Sequence, residues 1–230
     1  MPVEIYLETG AKKTFACALN WPGWGRGGRG DEEAVQALLA YAPRYARPMQ
    51  PLGFKVPAEA DLVIVERLQG GSATDFGVPE MVTAADYASG YGPTEPTMAA
   101  HLLNVFKAGW DEFDRIYRAA EGLTLTTGPR GGGRDRKGVT LHVLNAGASY
   151  LGRIGGKLKI DEGAPDLLGE WRRAGVEILA AMELAAQNGV PEQGPRGGKT
   201  WPLPYFIRRF AWHVLDHAWE IEDRSQPPAP

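Results

Sequence analysis

Three of the four histidines of this chain fall where an amphipathic helix would place buried apolar residues. His213 and His217 are four residues apart and continue an apolar stripe begun by Phe206 and Phe210, so their side chains share one helical face. His142 falls in the same way on the inward stripe of an earlier helix. Neutral imidazoles bind a divalent cation at about 2.0–2.1 Å, and a shared ion removes the cost of burying unpaired rings. The pattern therefore predicts that His142, His213 and His217 bind one divalent metal ion.

Three imidazole ligands leave at least one coordination position for water or substrate, which is typical of catalytic rather than structural metal sites. Zn, Ni and Fe(II) all suit imidazole, so the identity of the metal stays open. Such an ion could activate a water or hold a substrate thiolate or carbonyl. The only cysteine, Cys17, is far from the histidines in sequence. A reacting thiol would therefore come from a cofactor, a low-molecular-weight thiol.

Polar residues that follow the ligands are candidates for catalysis and for cofactor binding. Glu220 lies three residues past His217, and we expect it to accept a hydrogen bond from that ring or to act as the catalytic base. The alternative is an i, i+4 ion pair between Glu220 and Arg224. Asn145 and Ser149 lie three and seven residues past the first ligand and are predicted to line a cofactor-binding pocket.

The alternative to a metal site is a set of core histidines. A lone histidine on an apolar face is more often a satisfied core residue, and the spacing of four is weak evidence by itself. Three inward histidines on two facing helices favour the metal. His101 differs, because it lies in the first turn of a helix after Pro96. It is predicted to be a surface or pocket-rim residue and not a ligand.

The elements that position these residues change character along the chain. Residues 1–70 predict a small α+β unit of order β-β-α-β, with alternating strands at 3–8 and 14–19 and a third strand at 62–65. Its helix is predicted to be capped by Asp31 and to stop before Pro43. A Gly/Arg-rich loop is expected before that helix. Residues 71–96, rich in Gly and Pro, predict a linker that packs on one of the domains.

From about residue 97 the apolar residues recur with a period of 3.6. Four amphipathic helices, separated by loops near 124–137 and 191–204, predict an all-α, up-down four-helix bundle over 97–224. Residues 225–230 are expected to form a disordered tail. The predicted fold class is thus an α+β N-terminal domain followed by a helical bundle.

The helical part resembles the DinB/YfiT-like family of metal-dependent bundles. The segments Leu141–Ala146 and Trp212–Glu220 carry the resemblance. The family has one ligand histidine on its second helix and a His-x-x-x-His pair on its last, which implies His142, His213 and His217 as the ligands. Members include S-transferases and isomerases that use low-molecular-weight thiols, metal-dependent hydrolases and the bundle part of iron-dependent sulfoxide synthases. The family's usual His-Arg-Gly-Gln ending is replaced here by Ala218–Glu220, so the substrate subclass stays open.

The N-terminal part resembles the HicB-like antitoxin domain. The paired strands Val3–Glu8 and Thr14–Asn20, the turn Trp21–Gly23 and the acidic helix start at Asp31 carry this resemblance. It implies either an antitoxin-like regulator or, the interpretation we favour, a structural or dimerisation module. A homodimer is left open.

Composition limits the partners. The net charge of −3 over 230 residues makes a nucleic-acid partner held by bulk electrostatics unexpected. The chain has neither a signal-peptide pattern nor an apolar run of about 20 residues, so a soluble, cytoplasmic protein without a membrane partner is expected. The best hypothesis is a metal-dependent transferase or hydrolase acting on a small-molecule substrate. The alternative is a protein that binds a metal or a small molecule without turnover.

Overall fold

The structure, a computed structural model, describes residues 2–128, 133–195 and 197–227. A small sheet precedes a largely helical region, which confirms the predicted mixed α+β class. The centre of the predicted 124–137 loop, one residue of the 191–204 loop and the last three residues of the predicted tail lie outside the described residues.

A four-stranded sheet forms the N-terminal part. Its strands are, in chain order, β1 (Val3–Thr9), β2 (Thr14–Ala18), β3 (Gly25–Gly28) and β4 (Leu62–Gln69). Their order across the sheet is β3-β2-β1-β4, and only β4 runs parallel to its neighbour. The alternating apolar residues of β1 and β2 were the sequence signal, and Ile5, Leu7 and Ala16 are buried in the core.

Strand β3 replaces the predicted Gly/Arg loop, so the observed order is β-β-β-α-β. The prediction missed it because glycines carry no apolar signal. Their missing side chains allow close packing instead: a β-carbon at Gly28 would lie 2.4 Å from the nitrogen of Ala34, and one at Gly25 would lie 2.8 Å from Sγ of Cys17. The glycines thus let the strand pair with β2 beneath the following helix.

Helix α1 (Asp31–Met49) begins after Gly30 and continues through Pro43 and Pro48, whereas the sequence predicted an Asp31 cap and a stop before Pro43. Tertiary packing outweighs the local cost of proline. Tyr45 and Met49 are fully buried on the face that also carries Leu38. The hydroxyl of Tyr45 donates a hydrogen bond to the carbonyl of Pro22 at 2.8 Å.

The predicted linker contains two short helices, α2 (Ser72–Phe76) and α3 (Ala84–Ser89). The buried carboxylate of Glu8 accepts hydrogen bonds from the Thr74 hydroxyl and from the backbone nitrogens of Glu80 and Met81, at 2.5, 3.0 and 2.9 Å. These contacts tie the segment to the sheet.

The helical region has four long helices: α4 (Pro96–Ala119), α5 (Arg136–Leu151), α6 (Leu167–Asn188) and α7 (Leu203–Arg224). Helices α4 and α5 each pack against both α6 and α7. Rings fill the interior, and Trp110 stacks on Trp171 with centroids 3.7 Å apart. None of the helices in the described residues combines the length and apolar character of a membrane span.

Helix α7 lies between the sheet and the other helices and is buried along most of its length. Phe15 of β2 meets the ring of Trp212 edge-on at 6.1 Å. Arg26 of β3 forms an ion pair with Asp216 at 2.7 Å and lies over the Trp219 ring. One hydrophobic core runs through both parts of the chain. The division into domains at 70 and 96 stays a prediction.

The first two residues of the predicted 225–230 tail are part of a strand and not disordered. Ser225 and Gln226 form strand β6 (Ser225–Gln226), which pairs with β5 (Thr124–Leu125) inside the predicted loop. The pairing arises because α7 delivers the chain beside the segment that follows α4, and Thr126 donates its backbone N–H to the carbonyl of Arg224 at 2.8 Å.

Candidate metal centre

Helices α5 and α7 bring His142, His213 and His217 together. One ligand nitrogen from each ring lies within 4.8 Å of one from each other ring. The ring centroid of His142 is 5.1 Å from that of His213 and 4.8 Å from that of His217, and the two rings of α7 are 4.6 Å apart. The spacing of four residues on α7 places both rings on one face, and α5 supplies the third from across the helix pair.

The environment of the triad favours neutral rings. Burial, followed by the charge of His217, lowers the pKa of His142 to about 4. Burial, followed by the charges of the other two histidines, lowers the pKa of His213 well below its ordinary value. His213 is only 8% exposed, and its Nε2 atom is buried without a hydrogen-bond partner in the described part of the chain. An imidazole kept neutral, with a free lone pair in a buried position, is the form that binds a metal ion.

The donor set fits a divalent ion. Three nitrogens bound to one ion at about 2.0–2.1 Å in tetrahedral geometry lie about 3.4 Å apart. The ligand nitrogens of the triad lie within 4.8 Å of one another, so metal binding calls for side-chain rotation that closes the widest pair by about 1–1.5 Å. The unpartnered Nε2 of His213 is the atom that such a closure would satisfy.

Glu220 holds His217 in place. Its Oε2 atom lies 2.6 Å from Nδ1 of His217, which leaves Nε2 of that ring for a metal. Its Oε1 atom accepts a hydrogen bond from Arg224. The two roles that the sequence set as alternatives therefore occur together. The bond from His217 is the largest cause that lowers the pKa of Glu220, and a less basic carboxylate is suited to orienting the ring rather than to taking up a proton.

Arg224 is a buried residue rather than a surface partner of Glu220. It is 6% exposed and donates hydrogen bonds to the backbone carbonyls of Thr126 at 2.7 Å and Arg134 at 2.8 Å. Through Arg224, both ends of the 124–137 loop are thus joined to the carboxylate that orients His217. These contacts could not be predicted from the sequence, because backbone acceptors in a loop leave no residue pattern.

The other predicted site residues lie further out. Asn145 is exposed, and its side-chain amide donates a hydrogen bond to Glu162 at 2.9 Å. Ser149 is exposed and lines a cavity of about 700 Å³ that opens beside Arg153. Their cofactor-binding role stays a prediction. His101 lies apart from the triad, with Nε2 2.7 Å from the carbonyl oxygen of Asn20.

A second cavity, of about 330 Å³, lies one helical turn from the triad and was not predicted. Tyr150 lines it, and the ring of Tyr150 meets that of His213 edge-on at 5.8 Å. Arg209, four residues before His213 on α7, also lines it. The cavity could not be predicted from the sequence, because it forms where the segments 80–91 and 199–202 meet the helices, a contact between distant parts of the chain.

Comparisons of the chain with protein-family models, with curated proteins and with solved structures found no match. The geometry of the site and the residues themselves therefore carry the functional argument.

Proposed function

We propose that this protein is a metal-dependent enzyme that acts on a small molecule by group transfer or hydrolysis, with His142, His213 and His217 as the metal ligands. The observation that carries the proposal is the convergence of three imidazoles between α5 and α7. One of them has a buried nitrogen without a hydrogen-bond partner among the described residues. Such an ion would act as a Lewis acid toward a carbonyl or lower the pKa of a bound water or thiol.

The residues around the triad supply positioning. Glu220, held by Arg224, fixes the ring of His217 through Nδ1 and leaves Nε2 of that ring for a metal. His217 retains 15% side-chain exposure, so the triad is not fully enclosed. The thiol of Cys17 is buried, and its pKa is raised to about 12 by burial and then by Glu8. Any reacting thiol is therefore a separate low-molecular-weight compound.

We further propose that α4 to α7 form the up-and-down four-helix bundle of the DinB/YfiT-like family. The ligand positions on α5 and α7 support this assignment, because they are the second and fourth helices of the region. The family's thiol-dependent transferases and its hydrolases are then the reaction types to test first.

Metal analysis tests the ligand assignment. We expect about one divalent ion per chain in the purified protein, a loss of that ion in His213→Ala, and full retention in His101→Ala. Equal metal content in the wild type and His213→Ala would overturn the assignment.

Turnover is then measured with thiol and electrophile pairs, esters and amides on metal-loaded wild type and His217→Ala. Activity that survives the loss of His217 would show that the metal is not the catalyst, and a lack of turnover on every substrate would favour a non-catalytic metal-binding protein.

A further inference from the structure

Aromatic rings form a large part of the walls of the 330 Å³ cavity beside the triad. Five aromatic residues line it: Tyr87, Tyr91, Tyr150, Trp201 and Tyr205. Its volume is in the range of pockets that hold small organic molecules. Flat walls of this kind favour a planar ligand, because rings pack edge-on or offset against one another. Trp201 contacts the rings of Tyr150 at 5.5 Å and Tyr205 at 5.1 Å, which connects three of these rings into one wall.

Arg209 gives the cavity a positive charge, and it has no counter-ion among the residues that the structure describes. Its Nη1 atom is buried and has no hydrogen-bond partner within the described ranges of the chain. Its guanidinium lies over the rings of Tyr150 at 5.5 Å and Trp212 at 5.3 Å, and no carboxylate of the described residues pairs with it. The neighbouring Arg208, in contrast, is paired with Asp86. Leaving a half-buried guanidinium unpaired is costly unless an anion binds there.

The remaining charges at the cavity agree with an anionic ligand. Lys199 lines the same cavity and is exposed. Glu80 is the acidic residue among the lining residues, and its Oε1 atom lies close to Gly71, where an added β-carbon would meet it at 2.9 Å. The backbone carbonyl of Glu80 accepts a hydrogen bond from the hydroxyl of Tyr205 at 2.7 Å, which fixes that wall. The lining residues thus include two cationic side chains, Lys199 and Arg209, and one carboxylate, that of Glu80.

The cavity is also adjacent to the metal ligands. Arg209 and His213 are one turn apart on α7, about 6 Å along the helix axis. The Tyr150 ring lies between the cavity and the ring of His213. A ligand whose acidic group binds Arg209 would thus extend its other end along Tyr150 toward the triad.

From these contacts we infer that the cavity binds a small aromatic carboxylate, with the carboxylate on Arg209 and the ring between the tyrosines. Binding of such a ligand does not depend on the proposed function. Only the reaction that the ligand would undergo rests on it. The inference narrows the substrate class to planar organic acids.

Benzoate and benzamide test this inference, because they share a shape and differ in charge. Binding to the full chain is measured by ligand-observed NMR titration, with and without added Zn²⁺. We expect benzoate to bind at least about tenfold more tightly than benzamide, as the loss of one charged hydrogen-bond pair implies. Arg209→Gln should remove this preference, while Arg172→Gln, an exposed arginine on α6 that pairs with Asp114, should retain it.

A second variant tests the inference even if Arg209→Gln does not fold. Tyr87 is 55% exposed, so Tyr87→Ala should fold normally and bind benzoate more weakly by the loss of one wall. Equal affinities for benzoate and benzamide, or an affinity for benzoate that neither variant lowers, would overturn the inference. Zn²⁺ content measured on the same samples separates the two proposals: retained metal without benzoate binding removes only this inference, whereas charge-selective benzoate binding in a chain that binds no metal removes only the metal proposal.

Discussion

The backbone of Gly147 in α5 lies directly against the ring of Phe210 in α7, so that a β-carbon built at residue 147 would lie 2.4 Å from Cζ of that ring. The ring is fully buried and is itself in contact with the rings of Phe106 and Tyr150 at 5.2 and 5.7 Å. It therefore has little room to move. This close approach of α5 and α7 is what brings His142 to the histidine pair.

Gly147→Ala should consequently weaken both the fold and the metal site. The added methyl group forces the two helices apart or displaces the Phe210 ring, and overpacking of this kind typically costs about 1–3 kcal/mol in the free energy of unfolding. We expect that loss in denaturant unfolding, together with a lower affinity for Zn²⁺. Gly152→Ala is the matched control, because no atom lies within 4 Å of a β-carbon there and the backbone is helical. Similar behaviour of the two variants would contradict the role of Gly147.

Glu220→Gln tests whether the carboxylate positions His217. In Glu220 one carboxylate oxygen faces Nδ1 of His217 and the other accepts from Arg224, so in glutamine the amide NH₂ group would replace one of these acceptors and face a donor. Loss of the partner that orients a ligand histidine typically lowers metal affinity about 10–100-fold. Competition with a zinc-sensitive dye measures the change. Glu222→Gln, on the same helix but paired with Arg44 and Arg47, should leave the affinity unaltered, and an equal loss there would point to a general effect of charge.

The metal-free protein should lose stability as the pH falls. Since burial holds the pKa of His142 at about 4 in the folded chain, and a free imidazole has a pKa of about 6.5, the unfolded chain binds the proton first. The free energy of unfolding contributed by this ring is intact above about pH 6.5 and decreases until about pH 4. His213 shifts in the same direction. Urea unfolding of wild type and His142→Asn across this window should give a shallower pH dependence for the variant, and identical slopes would contradict the buried, neutral state.

The sequence predicted the elements whose residues have a clear period. Alternation marked β1 and β2, and the 3.6-residue stripes marked α4 to α7, with the histidines as interruptions of otherwise apolar faces. A stripe identifies the residues that face inward, which explains why the sequence alone groups His142 with the pair on α7. The convergence of the rings then depends only on the contact of two helices.

The missed features depend on contacts between distant segments. Strand β3 consists mostly of glycine, α1 passes through two prolines because its buried face continues, and the aromatic cavity needs the segment around Glu80 to meet the start of α7. Arg209 was indistinguishable from Arg208 in sequence. Only the position of Asp86 determines which of the two arginines is paired.

Asp86→Asn tests whether the ion pair between Asp86 and Arg208 stabilises the fold. Arg208 and Asp86 are 7% and 1% exposed, and their ion pair joins α3 to α7. The substitution leaves a buried guanidinium without its charge partner, which typically costs about 3–5 kcal/mol. Asparagine can retain an acceptor oxygen for the backbone nitrogen of Thr83, so the cap of α3 is preserved. We expect this loss in the free energy of unfolding, measured by guanidinium titration.

Asp111→Asn is the control. It breaks an exposed pair with Lys107, in which Asp111 is 61% and Lys107 58% exposed, and should change the free energy of unfolding by no more than about 1 kcal/mol. If the two substitutions had equal effects, the Asp86–Arg208 pair would not be what holds the 71–96 segment against α7.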